Sequence, residues 1–215
     1  MDMQYTTLGT TSLRVSVAGL GCGGNSRLGL GQGKSEAESI AVVERALARG
    51  VNFFDTAEVY GTETIVGKAV AGVNRSDVVI STKARIVRDG KTATRDELAE
   101  SIDCSLERLR TDHVDVLHLH GVAPDQYAYC RDELLPTLLD AKRQGKIRHI
   151  GITETAVRDP DHVMLHEAVD EGPWEVVMFA FHMLNQNARE RLFAACLERG
   201  VGTLLMFVVR NIFSE

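Results

Sequence analysis

The sequence has few cysteines and no paired cysteine motif. Its four cysteines lie far apart and form no Cys-x-x-Cys pair; they are Cys22, Cys104, Cys130 and Cys196. Wide spacing of this kind argues against a zinc site and against a disulfide framework. We therefore expect no bound metal, and we interpret the four thiols as buried or incidental side chains.

Basic clusters and long apolar runs are also missing. The chain has 24 lysines and arginines against 30 acidic residues, with no block of basic residues. This composition lacks the electrostatic signature of a nucleic-acid-binding protein. A membrane span requires about 18 consecutive apolar residues, and neither such a run nor a secretory leader is present. The sequence predicts a cytoplasmic protein whose partners are neither nucleic acids nor membranes.

What is present is a regular alternation of two patterns. Short runs rich in Val and Ile alternate with amphipathic segments of helical length, which predicts a parallel sheet built from βα units. With 215 residues, 44% of them apolar, a single domain over residues 1–215 is expected. The predicted strands are 15–20, 51–55, 78–82, 114–119, 147–152, 175–181 and 202–208.

Local signals predict where several helices begin. Ser35 with Glu38, and Thr94 with Glu97, have the spacing of capping boxes ahead of apolar-periodic segments. The Asp-Pro pair at 159–160 predicts a helix whose first position is the proline. Ahead of all these elements, the segments 4–8 and 12–15 predict a hairpin that closes the bottom of a barrel.

The number of predicted strands is one short of a closed barrel. An eight-stranded barrel requires another βα unit, and an open barrel would expose strand edges and core. The sequence therefore predicts a (β/α)8 TIM barrel truncated to about seven strands and C-terminally incomplete. We also expect self-association through the incomplete barrel.

Four polar side chains follow the apolar runs at or near the predicted strand ends. They are Asp55, Tyr60, Lys83 and His120. Because the carboxyl ends of parallel strands share one face of a barrel, these side chains are expected to converge. Taken singly, they would be read as an N-cap, a surface aromatic, a solvated lysine and a core histidine. His118, two positions before His120, is expected to point the opposite way and to be structural.

This combination of side chains suits carbonyl reduction. A nearby ammonium stabilises a phenolate and lowers a phenol pKa that is otherwise about 10, so Tyr60 beside Lys83 could serve as an acid. A desolvated Lys83 would also suit a Schiff-base lyase. The accompanying Tyr and His motif disfavours the lyase.

Several segments, in this order, resemble motifs of the aldo-keto reductase family. The resemblance covers essentially the whole chain, over residues 13–21, 55–61, 81–83, 115–120 and 145–153. It implies a (β/α)8 barrel that binds a nicotinamide cofactor without a Rossmann domain, usually NADPH, with NAD as the alternative. The segment 201–210 is similar to members that oxidise sugars.

The resemblance also implies roles for individual residues. Tyr60 would be the general acid and base, Lys83 the cation that lowers its pKa, Asp55 the partner of the lysine, and His120 the group that orients the carbonyl. The glycine-rich loop with Gly21, Cys22 and Gly23 would pass under the nicotinamide, and Asp55 would lie beside it.

Departures from the family pattern concentrate around the cofactor. Thr153 and Glu154 stand where the family usually has a Ser-Asn pair, and a carboxylate offers only hydrogen-bond acceptors. Met178 stands where a glutamine is usual. The position of the ring that stacks on the nicotinamide is filled by Met206, or by Phe207 if the register shifts by one.

The cofactor phosphate has one basic candidate partner, Arg210. The sequence thus predicts an NAD(P)(H)-dependent oxidoreductase that interconverts an aldehyde, ketone or sugar carbonyl with its alcohol. The alternative is a catalytically weak barrel that acts as a binding or regulatory subunit because the phosphate site is missing.

Overall fold

A curled sheet of seven parallel strands forms the centre of the molecule. The computed structural model describes residues 2–209. The strands of the chain are β1 (Tyr5–Thr7), β2 (Arg14–Ser16), β3 (Leu20–Gly21), β4 (Phe53–Asp55), β5 (Val79–Arg85), β6 (Val87–Arg88), β7 (Lys91–Thr92), β8 (Val114–Val122), β9 (Ile147–Glu154), β10 (Val176–Ala180) and β11 (Gly202–Met206). The large sheet has the order β11-β10-β9-β8-β5-β4-β3. This architecture confirms the predicted fold class.

Helices connect the strands and cover the sheet. They are α1 (Glu36–Leu47), α2 (Glu63–Val70), α3 (Arg95–Leu109), α4 (Tyr127–Tyr129), α5 (Leu135–Arg143), α6 (Val163–Glu171) and α7 (Leu192–Arg199). The largest apolar cluster joins outward strand residues such as Ile80 and Leu117 to helix residues such as Leu98 and Leu138. Burial of these side chains between sheet and helices is the main stabilising contribution that holds the strand ends in place.

The predicted N-terminal hairpin is present and lies at the bottom of the sheet. β1 and β2 pair antiparallel, and Thr10 in the turn donates its backbone N–H to Gly200 O at 2.8 Å. Leu8 and Leu13 of the hairpin pack against Phe53 and Val79, which lie at the starts of β4 and β5. The hairpin therefore covers the end of the sheet opposite the carboxyl ends of the strands.

Two predicted boundaries are wrong. The segment 15–20 is not one strand, because the chain bends between Ser16 and Leu20 and passes from the hairpin to β3. Helix α6 begins at Val163 and not at Pro160. Asp159 nevertheless acts as a cap, since its carboxylate accepts the N–H groups of Val163 and Met164 at 2.8 and 2.9 Å.

The predicted starts of α1 and α3 are confirmed, because both capping boxes form. Ser35 and Thr94 each accept the backbone N–H of the glutamate three residues later, and the carboxylate of that glutamate accepts the backbone N–H of the cap residue. Along residues 2–209, no helix combines the length and the apolar character that crossing a membrane would demand.

Candidate active site

Three of the four predicted catalytic residues lie on neighbouring strands at one end of the sheet. Asp55 is the last residue of β4, Lys83 lies near the end of β5, and His120 lies near the end of β8. The register pairs Asp55 with Ser81, and Lys83 with His118. The structure therefore brings these side chains together on the inner face of the sheet.

The ammonium of Lys83 is buried and hydrogen-bonded to two neighbouring oxygens. Lys83 is 2% exposed, and its Nζ donates to Asp55 Oδ2 at 2.5 Å and to the backbone oxygen of Thr56 at 2.8 Å. Ser81 donates from Oγ to the other carboxylate oxygen of Asp55 at 2.8 Å. Burying a charge is costly unless it is paired and hydrogen-bonded, and here both conditions are met. Sequence analysis missed Ser81, although its place two residues before Lys83 puts it on the same face.

Tyr60 enters the site from the loop after β4. It is the last residue of a 3-10 turn, Glu58–Tyr60, and its Oη lies 3.5 Å from Nε2 of His120. The Lys83 Nζ lies 5.1 Å from the centroid of the Tyr60 ring. Burial has the largest effect and raises the pKa of the Tyr60 phenol, whereas Lys83 lowers it and Asp55 raises it. The phenol therefore carries its proton at neutral pH, and Lys83 moderates the effect of burial.

His120 is held in its neutral form. Burial, followed by the charge of Lys83, lowers the pKa of His120 to about 4, against an opposing effect of Glu58. Its ring meets the Tyr60 ring edge to face, with centroids 5.6 Å apart. A neutral imidazole can donate one hydrogen bond to an oxygen without adding a positive charge next to Lys83.

His118 lies directly beneath His120, although it was expected to point the opposite way. Residues two apart along a strand share a face, so His118 points to the same side as His120 and is fully buried. Burial, then Lys83 and His120, hold the pKa of His118 well below its ordinary value. A Cβ added at Gly151 would lie 2.2 Å from His118 Nδ1. The glycine therefore leaves room for a neutral histidine under the site.

Gly23 determines where the Tyr60 ring can lie. A Cβ added at Gly23 would lie 2.4 Å from Cε2 and 2.6 Å from Cζ of Tyr60. Real Cβ atoms do not approach neighbours this closely, and Cζ carries the hydroxyl. The glycine-rich loop is thus the surface on which the phenol packs.

Replacing Gly23 by alanine is expected to displace the Tyr60 ring. A displacement of about 1 Å at a reacting group lowers rates by roughly 10²-fold, so we expect a loss of that order in the carbonyl turnover expected of this site. Gly72→Ala is the matched control, because an added Cβ there meets no atom within 4 Å. Unchanged turnover in Gly23→Ala would show that the loop does not position Tyr60.

The other two predicted cofactor-binding residues of the loop, Gly21 and Cys22, have different surroundings. Gly21 pairs with Asp55 in the sheet register, and a Cβ added there would meet nothing within 4 Å. Cys22 is completely buried, and its backbone N–H donates to Asp55 O at 2.8 Å. Burial raises the pKa of the Cys22 thiol to about 12, so the side chain is an unreactive packing group.

Not all of the predicted cofactor residues reach the inner face. Thr153, Met178 and Met206 share it, as the registers of β9, β10 and β11 show. Glu154 points to the other side of the sheet, where its carboxylate lies 2.6 Å from Nδ1 of His162 and accepts the N–H of Ala180 at 2.9 Å. The structure therefore does not bring Glu154 to the site. The predicted contact Arg210 lies outside the described residues.

Known proteins resemble this chain in sequence. The sequence profile of the Aldo/keto reductase family matches residues 19–213. L-galactose dehydrogenase of Arabidopsis thaliana is 33% identical over 209 residues, which cover 94% of this chain and 64% of the relative. Methylglyoxal reductase of Salmonella typhi is 39% identical over 120 residues, covering 55% of this chain and 43% of the relative.

A solved structure is also similar. The holo form of an aldo-keto reductase from Bacillus halodurans superposes with a TM-score of 0.77 at 29% sequence identity, covering 94% of this chain and 65% of that protein. The chain spans less than two thirds of the length of each of these three proteins. With a family match that covers most of its length, the chain belongs to the aldo/keto reductase family.

Proposed function

We propose that this chain carries the catalytic centre of an NAD(P)(H)-dependent oxidoreductase that interconverts an aldehyde, ketone or sugar carbonyl with its alcohol. The observation that carries the proposal is the placement of a protonated phenol, Tyr60, between a buried ammonium and a neutral imidazole. Two similar proteins are named for reactions of this class, a sugar dehydrogenase and a methylglyoxal reductase.

The inner face of the sheet fits the nicotinamide half of a dinucleotide. Open space lies over Gly21, beside Asp55, where a flat ring can approach the backbone. Thr153 Oγ accepts the N–H of Gly121 at 2.8 Å, and its own hydroxyl hydrogen has no acceptor recorded in residues 2–209, so it can donate to a carboxamide oxygen. Met178 and Met206 supply adaptable apolar surface for the ring. We propose NADP as the cofactor, with NAD as the alternative.

Proton transfer is assigned to Tyr60. The reduced cofactor, when bound, would supply the hydride that adds to the carbonyl carbon. This addition leaves negative charge on the carbonyl oxygen. Tyr60 would give its phenolic proton to that oxygen in reduction and take a proton from the alcohol in oxidation. Lys83 would stabilise the phenolate that reduction leaves behind, because its ammonium lies 5.1 Å from the ring centroid.

His120 is assigned the task of holding the carbonyl oxygen. Its Nε2 and the Tyr60 Oη are 3.5 Å apart, so one oxygen atom can receive hydrogen bonds from both. A neutral imidazole would orient the oxygen without competing with the phenol as the proton donor. Asp55, held by Ser81, would keep Lys83 in place.

The proposal is tested by incubating the protein with NADPH or NADH and a series of aldehydes, ketones and sugars. Oxidation of the reduced cofactor only when carbonyl compound and protein are both present is the expected result. The reverse assay, with NADP and the corresponding alcohol, should regenerate the reduced cofactor. A protein that binds the reduced cofactor and yet reduces no carbonyl compound would contradict the proposal.

A further inference from the structure

A carboxylate and two guanidinium groups form a compact cluster at the rim of the proposed active site. Glu58 is two residues before Tyr60, and its side chain is 7% exposed. Its Oε1 accepts both the backbone N–H and the Nε–H of Arg85, at 2.8 and 3.0 Å. Its Oε2 accepts from Arg88 Nη2 at 3.4 Å. We call Glu58, Arg85 and Arg88 the rim cluster.

The position of Arg85 follows from the sheet. Arg85 lies two residues beyond Lys83 on β5 and is the register partner of His120 on β8. Two residues along a strand span roughly 6.6 Å, so the Arg85 backbone lies that far above Lys83 towards solvent. The side chain is 47% exposed. Arg85 thus stands at the strand ends beside His120, which we take as the entrance to Tyr60 and His120.

The hydrogen bonds of the cluster leave one edge of Arg85 free. Glu58 engages Nε and the backbone N–H, whereas no acceptor for Nη1 or Nη2 is recorded in the described part of the chain. The guanidinium is therefore fixed in orientation by one edge and presents its Nη pair at the entrance. This pair can bind both oxygens of a carboxylate.

The charge of the cluster favours a monoanion. One carboxylate lies between two guanidinium groups, which leaves a single net positive charge. The Lys83 and Asp55 pair below it adds no net charge. A carboxylate would balance the cluster, whereas a doubly charged phosphate would leave an excess of negative charge.

We propose that Arg85 is a substrate-recognition residue that selects carbonyl compounds bearing a carboxylate some distance from the carbonyl group. This inference rests on the proposed function and specifies the substrate class of the same site. The carboxylate is separated from the reacting carbon by roughly 6 Å or more, because Arg85 stands two strand residues above Lys83. Acids whose carboxylate adjoins the carbonyl do not span this distance.

Binding of alcohols alongside the reduced cofactor, which cannot oxidise them, tests the inference without relying on turnover. Para-hydroxymethylbenzoate and para-hydroxymethylbenzamide differ in charge but hardly in shape, and calorimetry in the presence of NADPH and without cofactor gives their dissociation constants. Wild-type protein should bind the acid roughly ten-fold more tightly than the amide, and the preference should shrink in high salt. The ortho acid should show no such preference.

Variants assign the preference to Arg85. Arg85→Gln should reduce the preference for the acid to about one, and Arg85→Lys should keep part of it, because an ammonium lacks the paired donors. Arg95→Gln is the matched control: it removes the same charge from an arginine of similar exposure that pairs with Glu133 on the outer helices. It should keep the full preference. Circular dichroism would confirm that each variant is folded.

The outcomes separate the inference from the proposed function. Equal binding of acid and amide by the wild type, or an unchanged preference in Arg85→Gln, would show that Arg85 only holds Glu58 in place. Binding of neither alcohol would also overturn the inference. A preference for the acid without reduction of para-carboxybenzaldehyde would leave the recognition role standing and contradict the oxidoreductase.

Discussion

Replacing Tyr60 by phenylalanine is expected to lower carbonyl turnover by roughly 10²–10⁴-fold, the usual contribution of a general acid. The change removes only the hydroxyl, whose oxygen lies 3.5 Å from His120 Nε2. The ring still fills its place against Gly23, so cofactor affinity should be nearly unchanged. Steady-state rates with an aldehyde and a fluorescence titration with NADPH measure the two effects.

A second tyrosine provides the control for this substitution. Tyr129 donates its hydroxyl to the backbone oxygen of Ala93 at 3.0 Å, away from the site. Tyr129→Phe should lose a hydrogen bond of similar kind without changing turnover. Normal turnover in Tyr60→Phe would rule out the phenol as the proton donor.

Replacing Lys83 by methionine is expected to move the pH dependence of alcohol oxidation upward. In the proposed mechanism, oxidation requires the phenolate, and Lys83 is the group that lowers the pKa of Tyr60 against the larger effect of burial. Without the ammonium the pKa of Tyr60 rises further, so a higher pH is needed to reach the same rate. The rate at neutral pH should fall on the order of 10²-fold or more.

The pH profile distinguishes this role from simple binding. Lys68→Met serves as the control, because Lys68 forms an ion pair with Glu36 on the helical surface. Its pH profile should match that of the wild type. If Lys83→Met keeps the wild-type profile and loses only affinity for the cofactor, then Lys83 is a binding residue and the acid-base assignment fails.

The strand-end residues were predictable from sequence because they follow buried strands. The apolar runs before Asp55, Lys83 and His120 mark strands of a parallel sheet, and the carboxyl ends of such strands meet at one face. Alternation along a strand would also have placed His118 with His120 and turned Glu154 away from Thr153. In both cases the period of two along a strand determines the side on which the residue lies.

The rim cluster was not predictable in the same way. Glu58 binds Arg85 and Arg88, which are 27 and 30 residues further along the chain. Which of many surface charges meet depends on the loop after β4 and the hairpin of β6 and β7, and neither has a periodic pattern.

The start of α6 was not predictable from sequence either. An Asp-Pro pair does not reveal how many residues the chain uses before the helix begins.

Transfer of a label from the cofactor tests the central claim most directly. NADPH deuterated at its transferable position is incubated with the protein and an aldehyde, and the alcohol is analysed by mass spectrometry. An oxidoreductase with Tyr60 as its acid should place deuterium on the carbinol carbon, while the hydroxyl proton comes from solvent. Tyr60→Phe should transfer the same label far more slowly. An alcohol formed without deuterium, or a label transferred equally fast by Tyr60→Phe, would contradict the assignment.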